Sequence, residues 1–213
     1  MLEQMPFWRA EVVRLALFAG GVPFEDVRVK FGSDELKTMR AEGKLTFGAI
    51  PVMEVDGKML SQTQAMAVYA AKLAGLHPED AWDAAKVDEC LNGCTDATVT
   101  ISSTFRLPDE EKLAAREKLI APDGRLTMHL GGLEKICAEN GSCGYAVGES
   151  LTAADLAIWR MVGWLSGGVI DGLPDDYITS TFPAVAKLVA TVDAHPKVAE
   201  WKKAHPDNYP AAK

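Results

Sequence analysis

Few places in this chain combine residue types at spacings that would do chemistry. Ile50-Pro51 precedes the strand-like run Val52-Met53-Glu54-Val55. An ordinary trans proline opening an edge strand is the commoner form of such a bond. A cis bond would instead turn the Ile50 N–H and C=O toward a cleft, where an extended peptide would pair with them as a strand does. Gln62 and Thr63 stand where that strand region leads into a helix. Amides at a helix start lack partners and the helix dipole favours negative charge, so a carboxylate would be welcome there. The competing role is local, with Thr63 or Ser61 capping its own helix. Farther along, Thr95, Thr98, Thr100, Ser102, Ser103 and Thr104 crowd hydroxyls onto one helical stretch. They would either wall a polar pocket or bond back to carbonyls of the preceding turn. Cys90 and Cys94 share a helix face, but no His or carboxylate pattern completes four ligands, so they read as small core residues and no metal site is expected. His77, His129, His195 and His205 are scattered, and none is placed as a catalytic base.

Positioning those groups requires a core, and 213 residues at 48% hydrophobic supply one. The net charge of −8 and the absence of any Lys/Arg run argue against nucleic acid and anionic membrane as partners. No apolar run is long enough to span a bilayer, and Met1-Leu2-Glu3-Gln4 has neither the cationic start nor the apolar core of a signal peptide. Four irregularly spaced cysteines fit a reducing cytoplasm better than a disulfide framework.

Two halves differ in periodicity. In the first, Ala10 to Phe18 predicts a buried helix ended by Gly20-Gly21, and Val27 and Val29, alternating with charged neighbours, predict a half-exposed strand. Ile50 to Val55 and Lys58 to Leu60 form a hairpin across Asp56-Gly57, a pair suited to a type I′ turn. A helix with Met66, Tyr69, Ala70 and Leu73 inward then stops at Gly75. In the second half, Ala84, Val87, Leu91, Cys94, Thr98, Ile101 and Phe105 mark one long helix from Asp80 to Phe105, and Leu126, Leu130, Leu133 and Cys137 mark another. Thr152 and Asp155 make a capping box, with Leu151 and Leu156 as a hydrophobic staple, ahead of a buried helix through Trp159 and Trp164. Two short helices separated near His195-Pro196 finish the chain.

Three segments carry a family resemblance. Phe47-Gly48-Ala49-Ile50-Pro51-Val52-Met53-Glu54-Val55, continuing to Leu60-Ser61-Gln62-Thr63-Gln64-Ala65, resembles the glutathione-binding half of the cytosolic glutathione transferases. Arg9-Ala10-Glu11-Val12-Val13-Arg14 is similar to the first helix of their sigma-like group, and Val147-Gly148-Glu149-Ser150-Leu151-Thr152-Ala153-Ala154-Asp155 to the capped helix of their helical domain. The resemblance implies an α/β plus all-α fold: a thioredoxin-like domain over residues 1–75 and an all-helical domain over 80–213. It implies a cytoplasmic homodimer that conjugates glutathione, a co-substrate rather than a bound cofactor, to small electrophiles or isomerises them. The alternative is a relative that binds ligands or serves structurally without catalysis.

By the same resemblance Ile50-Pro51 is cis, Gln62 and Thr63 hold the γ-glutamyl end of glutathione, and Arg40 or Lys44, in a loop, meets its glycine carboxylate. Asp96 would reach the ligand's amino group across the subunit interface. Leu36 and Ala49 replace an aromatic residue and a Gln that the family often carries, which implies fewer polar contacts. The family's thiolate-stabilising Tyr, counted back from Glu11, falls on Glu3, and no Tyr, Ser or Cys precedes Glu11. Three explanations compete: the first strand and its Tyr lie upstream of Met1, the strand is very short with a different donor, or catalysis has been lost. Within this chain the remaining donors are Trp8, Arg9 and the amides of the first helix, whose dipole favours a thiolate by about 0.3–1 kcal/mol. Weak activity is the corresponding expectation.

Overall fold

The computed structural model describes residues 8–168 and 170–209. Helix α1, Trp8–Ala19, ends as its glycines require. Val22 N–H donates to the Leu17 carbonyl at 2.9 Å and Gly21 N–H to that of Phe18 at 3.0 Å, with Gly21 at φ 67°. This is a Schellman closure, which needs the left-handed conformation glycine adopts freely. The expected strand at Val27 and Val29 does not form: the segment is extended without a ladder, and Val27 is 61% exposed. A strand exists only by pairing, and no described segment forms a ladder with this one, the described sheet pairing only residues 52–55 with 58–61. Residues 1–7, where a very short first strand was one of three alternatives, lie outside the described residues. Ion pairs hold the segment instead, with Arg14 Nε 2.7 Å and Arg28 Nε 2.8 Å from the two Asp26 oxygens.

Helix α2, Asp34–Ala41, is capped by Ser33, whose hydroxyl accepts from Leu36 N–H. Arg40 therefore belongs to a helical last turn rather than to a loop. Strands β1, Val52–Val55, and β2, Lys58–Ser61, pair antiparallel with Val52 opposite Ser61 and Val55 opposite Lys58. Asp56 and Gly57 both take positive φ, 49° and 75°, as the two-residue type I′ turn demands. Helix α3, Thr63–Ala74, ends at Gly75, φ 69°. Its inward stripe differs from expectation: Met66 and Ala70 are buried with Ala67 and Ala71, whereas Tyr69 is 36% and Leu73 53% exposed. Alanines occupy the seam because α1 approaches too closely for larger side chains. A Cβ placed on Gly20 would lie 2.4 Å from Ala74 Cβ and 2.5 Å from its Cα. Gly20→Ala is accordingly expected to cost about 2–3 kcal/mol and to lower the urea midpoint by roughly 1 M.

Helix α4, Ala81–Ser102, begins at Asp80, whose carboxylate accepts from the N–H groups of Trp82 and Asp83. Val87, Cys90, Leu91, Cys94, Ala97, Thr98 and Ile101 form its buried stripe. Phe105 leaves that stripe and is 44% exposed, because α4 tightens into a 3-10 turn over Ser103–Arg106 that changes the angle per residue. Next come α5, Asp109–Ile120, and α6, Arg125–Glu139, the latter burying Leu126, Leu130, Leu133 and Cys137 as its spacing predicts. Helix α7, Ala153–Leu165, is buried nearly all round, and the core is built around it by α1, α4 and α9, Pro183–Asp193. The Glu134 carboxylate on α6 accepts from Ala184 and Val185 N–H, capping α9 from outside. Helices α8, Tyr177–Thr181, and α10, Pro196–Ala204, complete the described set.

Asp155 fulfils the capping box and does more. Its two oxygens accept from Thr152 N–H at 2.7 Å, Thr152 hydroxyl at 2.8 Å and Ala146 N–H at 2.7 Å, fastening the preceding loop to the start of α7. Burial raises its carboxyl to about 6 against those favourable donors. A second buried carboxylate, Glu11, ties α1 to the end of the chain: it accepts from Trp201 Nε1 at 2.6 Å and from the Tyr209 hydroxyl, and pairs with Arg14 at 3.1 Å. Cys90, Cys94 and Cys137 are buried free thiols, and burial lifts Cys137 to about 12.

Candidate active site

The corner between β2 and α3 is shaped by backbone. Ile50-Pro51 is cis, and Gln62 sits at φ 73°, ψ 125°, a conformation costing a non-glycine residue about 1–3 kcal/mol. The first amides of α3 follow directly on that turn, and no side chain caps them. Neither Thr63 nor Ser61 takes the capping role that was the alternative. Thr63 is buried, and the Ser61 hydroxyl is buried without a hydrogen-bond partner among the described residues. An uncapped helix start of this kind receives an anion through its N–H groups and dipole.

Helix α4 acts as a ruler beside this corner. Gln64, in the first turn of α3, donates from Nε2 to the Thr95 hydroxyl at 2.5 Å. One turn farther along α4, the Trp8 indole N–H at the start of α1 donates to the Thr98 hydroxyl at 2.8 Å. Beyond that, Arg9, Val99, Ser102, Ser103 and Arg106 line an open cleft of about 460 Å³. From Thr95 to Ser102 is about 10 Å at helical rise, and three extended residues span about the same length. The corner, the start of α1 and the cleft thus lie in sequence along one helix.

The predicted residues fall into this frame unequally. Arg40 reaches back so that its Nε donates to the Gly48 carbonyl at 3.3 Å, which holds the guanidinium beside the segment leading into Ile50. The Lys44 ammonium lies 3.0 Å from Glu42, whose hydrogen bond and charge raise it above the ordinary lysine value. Asp96 is exposed on the opposite flank of α4, in a groove toward α6 with Asn92, Met128 and His129. Within one chain it does not enter the cleft. Trp8 does not fit the donor role that the sequence left open for it, since it is fully buried and its N–H is held by Thr98. Arg9 remains at the cleft, its guanidinium lowered from the ordinary arginine value by burial. Among the hydroxyls, Thr95, Thr98, Ser103 and Thr104 bond back to carbonyls of their own helix, while Ser102 and Ser103 face the cleft. Sequence reading missed Gln64 and Arg106 as site-lining residues, because only the packing of α3 and α1 on α4 gives those positions meaning.

A strand hairpin led by a cis-proline, an α3 start without a side-chain cap, and a helical half packed against α1 and α3 describe a thioredoxin-like half joined to a helical one. The glutathione S-transferase N-terminal domain model matches residues 2–72 and the glutathione S-transferase C-terminal domain model residues 95–205. Glutathione S-transferase A3 of Mus musculus is 32% identical over 169 residues, covering 78% of this chain and 75% of its own. The structure of prostaglandin synthase D of Nilaparvata lugens superposes with a TM-score of 0.77 at 26% identity, covering 95% of this chain and 96% of that one. A monomeric glutathione S-transferase from the hookworm Necator americanus gives 0.74 at 26% identity, covering 93% and 92%. The chain belongs to the glutathione S-transferase family, with a thioredoxin-like N-terminal part and a helical C-terminal part. Among the described residues, no helix is long and apolar enough to cross a membrane.

Proposed function

We propose that this protein is a sigma-like glutathione transferase that conjugates glutathione to small electrophiles. The observation that carries the proposal is the corner at Gln62-Thr63, where a positive-φ residue presents uncapped helix amides next to the cis Ile50-Pro51 bond. The γ-glutamyl carboxylate meets those amides, and the backbone of Ile50 pairs with the cysteinyl part of the ligand. Arg40 and Lys44 serve the glycine carboxylate, with Arg40 the main contact because Lys44 is shared with Glu42. Asp96 serves the ligand's amino group from the partner protomer of a homodimer. The sulfur then faces the start of α1, where the helix dipole and the Arg9 guanidinium favour the thiolate. Glutathione is the co-substrate, and this chemistry asks for no prosthetic group, since the thiolate is itself the nucleophile. The transferase names of the relatives favour catalysis over the non-catalytic alternative. The division into 1–75 and 80–213 and a cytoplasmic site of action belong to the same reading.

Retention on immobilised glutathione together with turnover of chlorodinitrobenzene tests it. Binding with turnover is expected; binding alone would return the non-catalytic reading, and neither would overturn the site. Arg40→Ala is expected to raise the dissociation constant for glutathione about tenfold. Lys44→Ala should change it less than Arg40→Ala does, and isothermal calorimetry reads both. Light scattering on the purified chain tests the dimer, with a monomer like that of the Necator relative as the contrary outcome.

A further inference from the structure

The cleft at the end of α4 is unusual in its charge. The chain carries −8 overall, yet Arg9, Val99, Ser102, Ser103 and Arg106 bring two guanidinium groups to one place with no carboxylate among them. Arg106 contrasts with its neighbour Arg116. Arg116 is buried and spent on structure, donating to the Thr104 hydroxyl at 3.0 Å and the Asp171 carbonyl at 2.8 Å while lying over the Phe105 ring. Arg106 is exposed in the 3-10 turn, and its guanidinium makes no ion pair or hydrogen bond among the described residues. The hydroxyl of Ser102 is likewise uncommitted among them. Val99, 58% exposed, gives the same cleft an apolar floor.

Glutathione does not account for these groups. In the reading above its γ-glutamyl carboxylate lies at the α3 corner where Gln64 meets Thr95, its sulfur faces the start of α1 level with Thr98, and its glycine carboxylate turns to Arg40 on α2, so neither of its carboxylates is assigned to Arg106. An anion drawn to a cationic cleft in an otherwise acidic molecule is selected by charge as well as by contact. We infer that the second substrate is an electrophile whose apolar body rests on Val99 and whose anionic group, such as a carboxylate, is bound by Arg106 with Ser102. This inference rests on the transferase reading above and names the substrate class of that same site.

A matched pair of aryl chlorides tests it: 4-chloro-3,5-dinitrobenzoate and its methyl ester. In both, the glutathione thiolate forms a C–S bond at the carbon bearing chlorine, chloride leaves with the C–Cl electron pair, and the thiol proton passes to solvent. Each kcat/KM is divided by the uncatalysed rate constant, removing the difference in intrinsic reactivity. The normalised acid-to-ester ratio is expected to favour the acid and to fall about tenfold in Arg106→Gln, with Arg106→Lys retaining most of it. Calorimetry on the two finished glutathione conjugates should show the same fall in relative affinity and needs no turnover. A ratio that Arg106→Gln leaves within about twofold, by rate and by affinity, overturns the inference while leaving the transferase intact. Failure of glutathione and of both conjugates to bind overturns the transferase reading, and this inference with it.

Discussion

Asp155→Ala will lower the melting temperature by roughly 10 °C or more, measured by circular dichroism. The carboxylate is fully buried and satisfies Ala146 N–H, Thr152 N–H and the Thr152 hydroxyl. Truncation leaves those donors in a core that water does not reach, at the first turn of the helix around which α1, α4 and α9 pack. The cost is about 3–5 kcal/mol, the sum of a lost cap and orphaned buried donors. Asp155→Asn should recover little of this, because its NH₂ would oppose an N–H that the second carboxylate oxygen now receives.

The pH dependence of the same site has a definite sign. Burial raises the folded-state pKa to about 6 from an unfolded value of 3.8, so between those values the folded protein holds a proton that the unfolded chain has released. Stability from Asp155 is therefore fully present below about pH 4 and declines as pH rises to about 6. Above that it is level. Urea unfolding of wild type and Asp155→Ala at matched pH should show a difference that shrinks through this window. A difference that grows with pH there would mean that the three donors outweigh burial.

Glu11→Ala is the second large effect, at about 3–5 kcal/mol by urea denaturation, because it breaks a buried charged cluster from one side. The Trp201 indole and the Tyr209 hydroxyl lose their acceptor, while Arg14 keeps its 2.7 Å pair with Asp26. Arg160, 5.4 Å from the centre of the Tyr209 ring, loses the nearby negative charge that supports its own. Tyr209→Phe removes a single hydrogen bond and should cost only about 1 kcal/mol. A Glu11→Ala midpoint shift no larger than that of Tyr209→Phe would show that the cluster is not the tie between α1 and the chain's end. Glu11 and Arg9 share the first turns of α1, so the Glu11→Ala enzyme should also lose kcat/KM.

Much of the fold was legible because local rules and tertiary packing agree where they meet. Gly21 and Gly75 end their helices, Asp56-Gly57 turns the hairpin, Thr152 and Asp155 cap α7, and the α6 stripe is buried as its spacing says. Disagreement arose where a neighbour decides. The Val27–Val29 alternation describes a strand face, but a face becomes a strand only beside a partner. Tyr69 and Leu73 have the apolar character of an inward stripe, yet the close approach of Gly20 to Ala74 admits only small residues on that seam. Trp8 carries a donor suited to a thiolate, and the fold gives that donor to Thr98. Around the proposed site, the motif resemblance points to Gln62-Thr63 and to Arg40 or Lys44, and what the structure adds is local: an α3 start without a side-chain cap, Arg40 held by the Gly48 carbonyl and Lys44 by Glu42.

By itself, then, the sequence determined the turns, the caps, the helical stripes and the family, because these depend on residues within a few positions of one another or on an ordered string of motifs. The tertiary structure decided which donors are spent and which stay open: Trp8 and Arg116 committed to Thr98 and Thr104, Arg106 left facing a cleft. Hydrogen-bonding capacity is written in a side chain's atoms, but its availability is set by what packs against it, and those neighbours come from segments far apart along the chain.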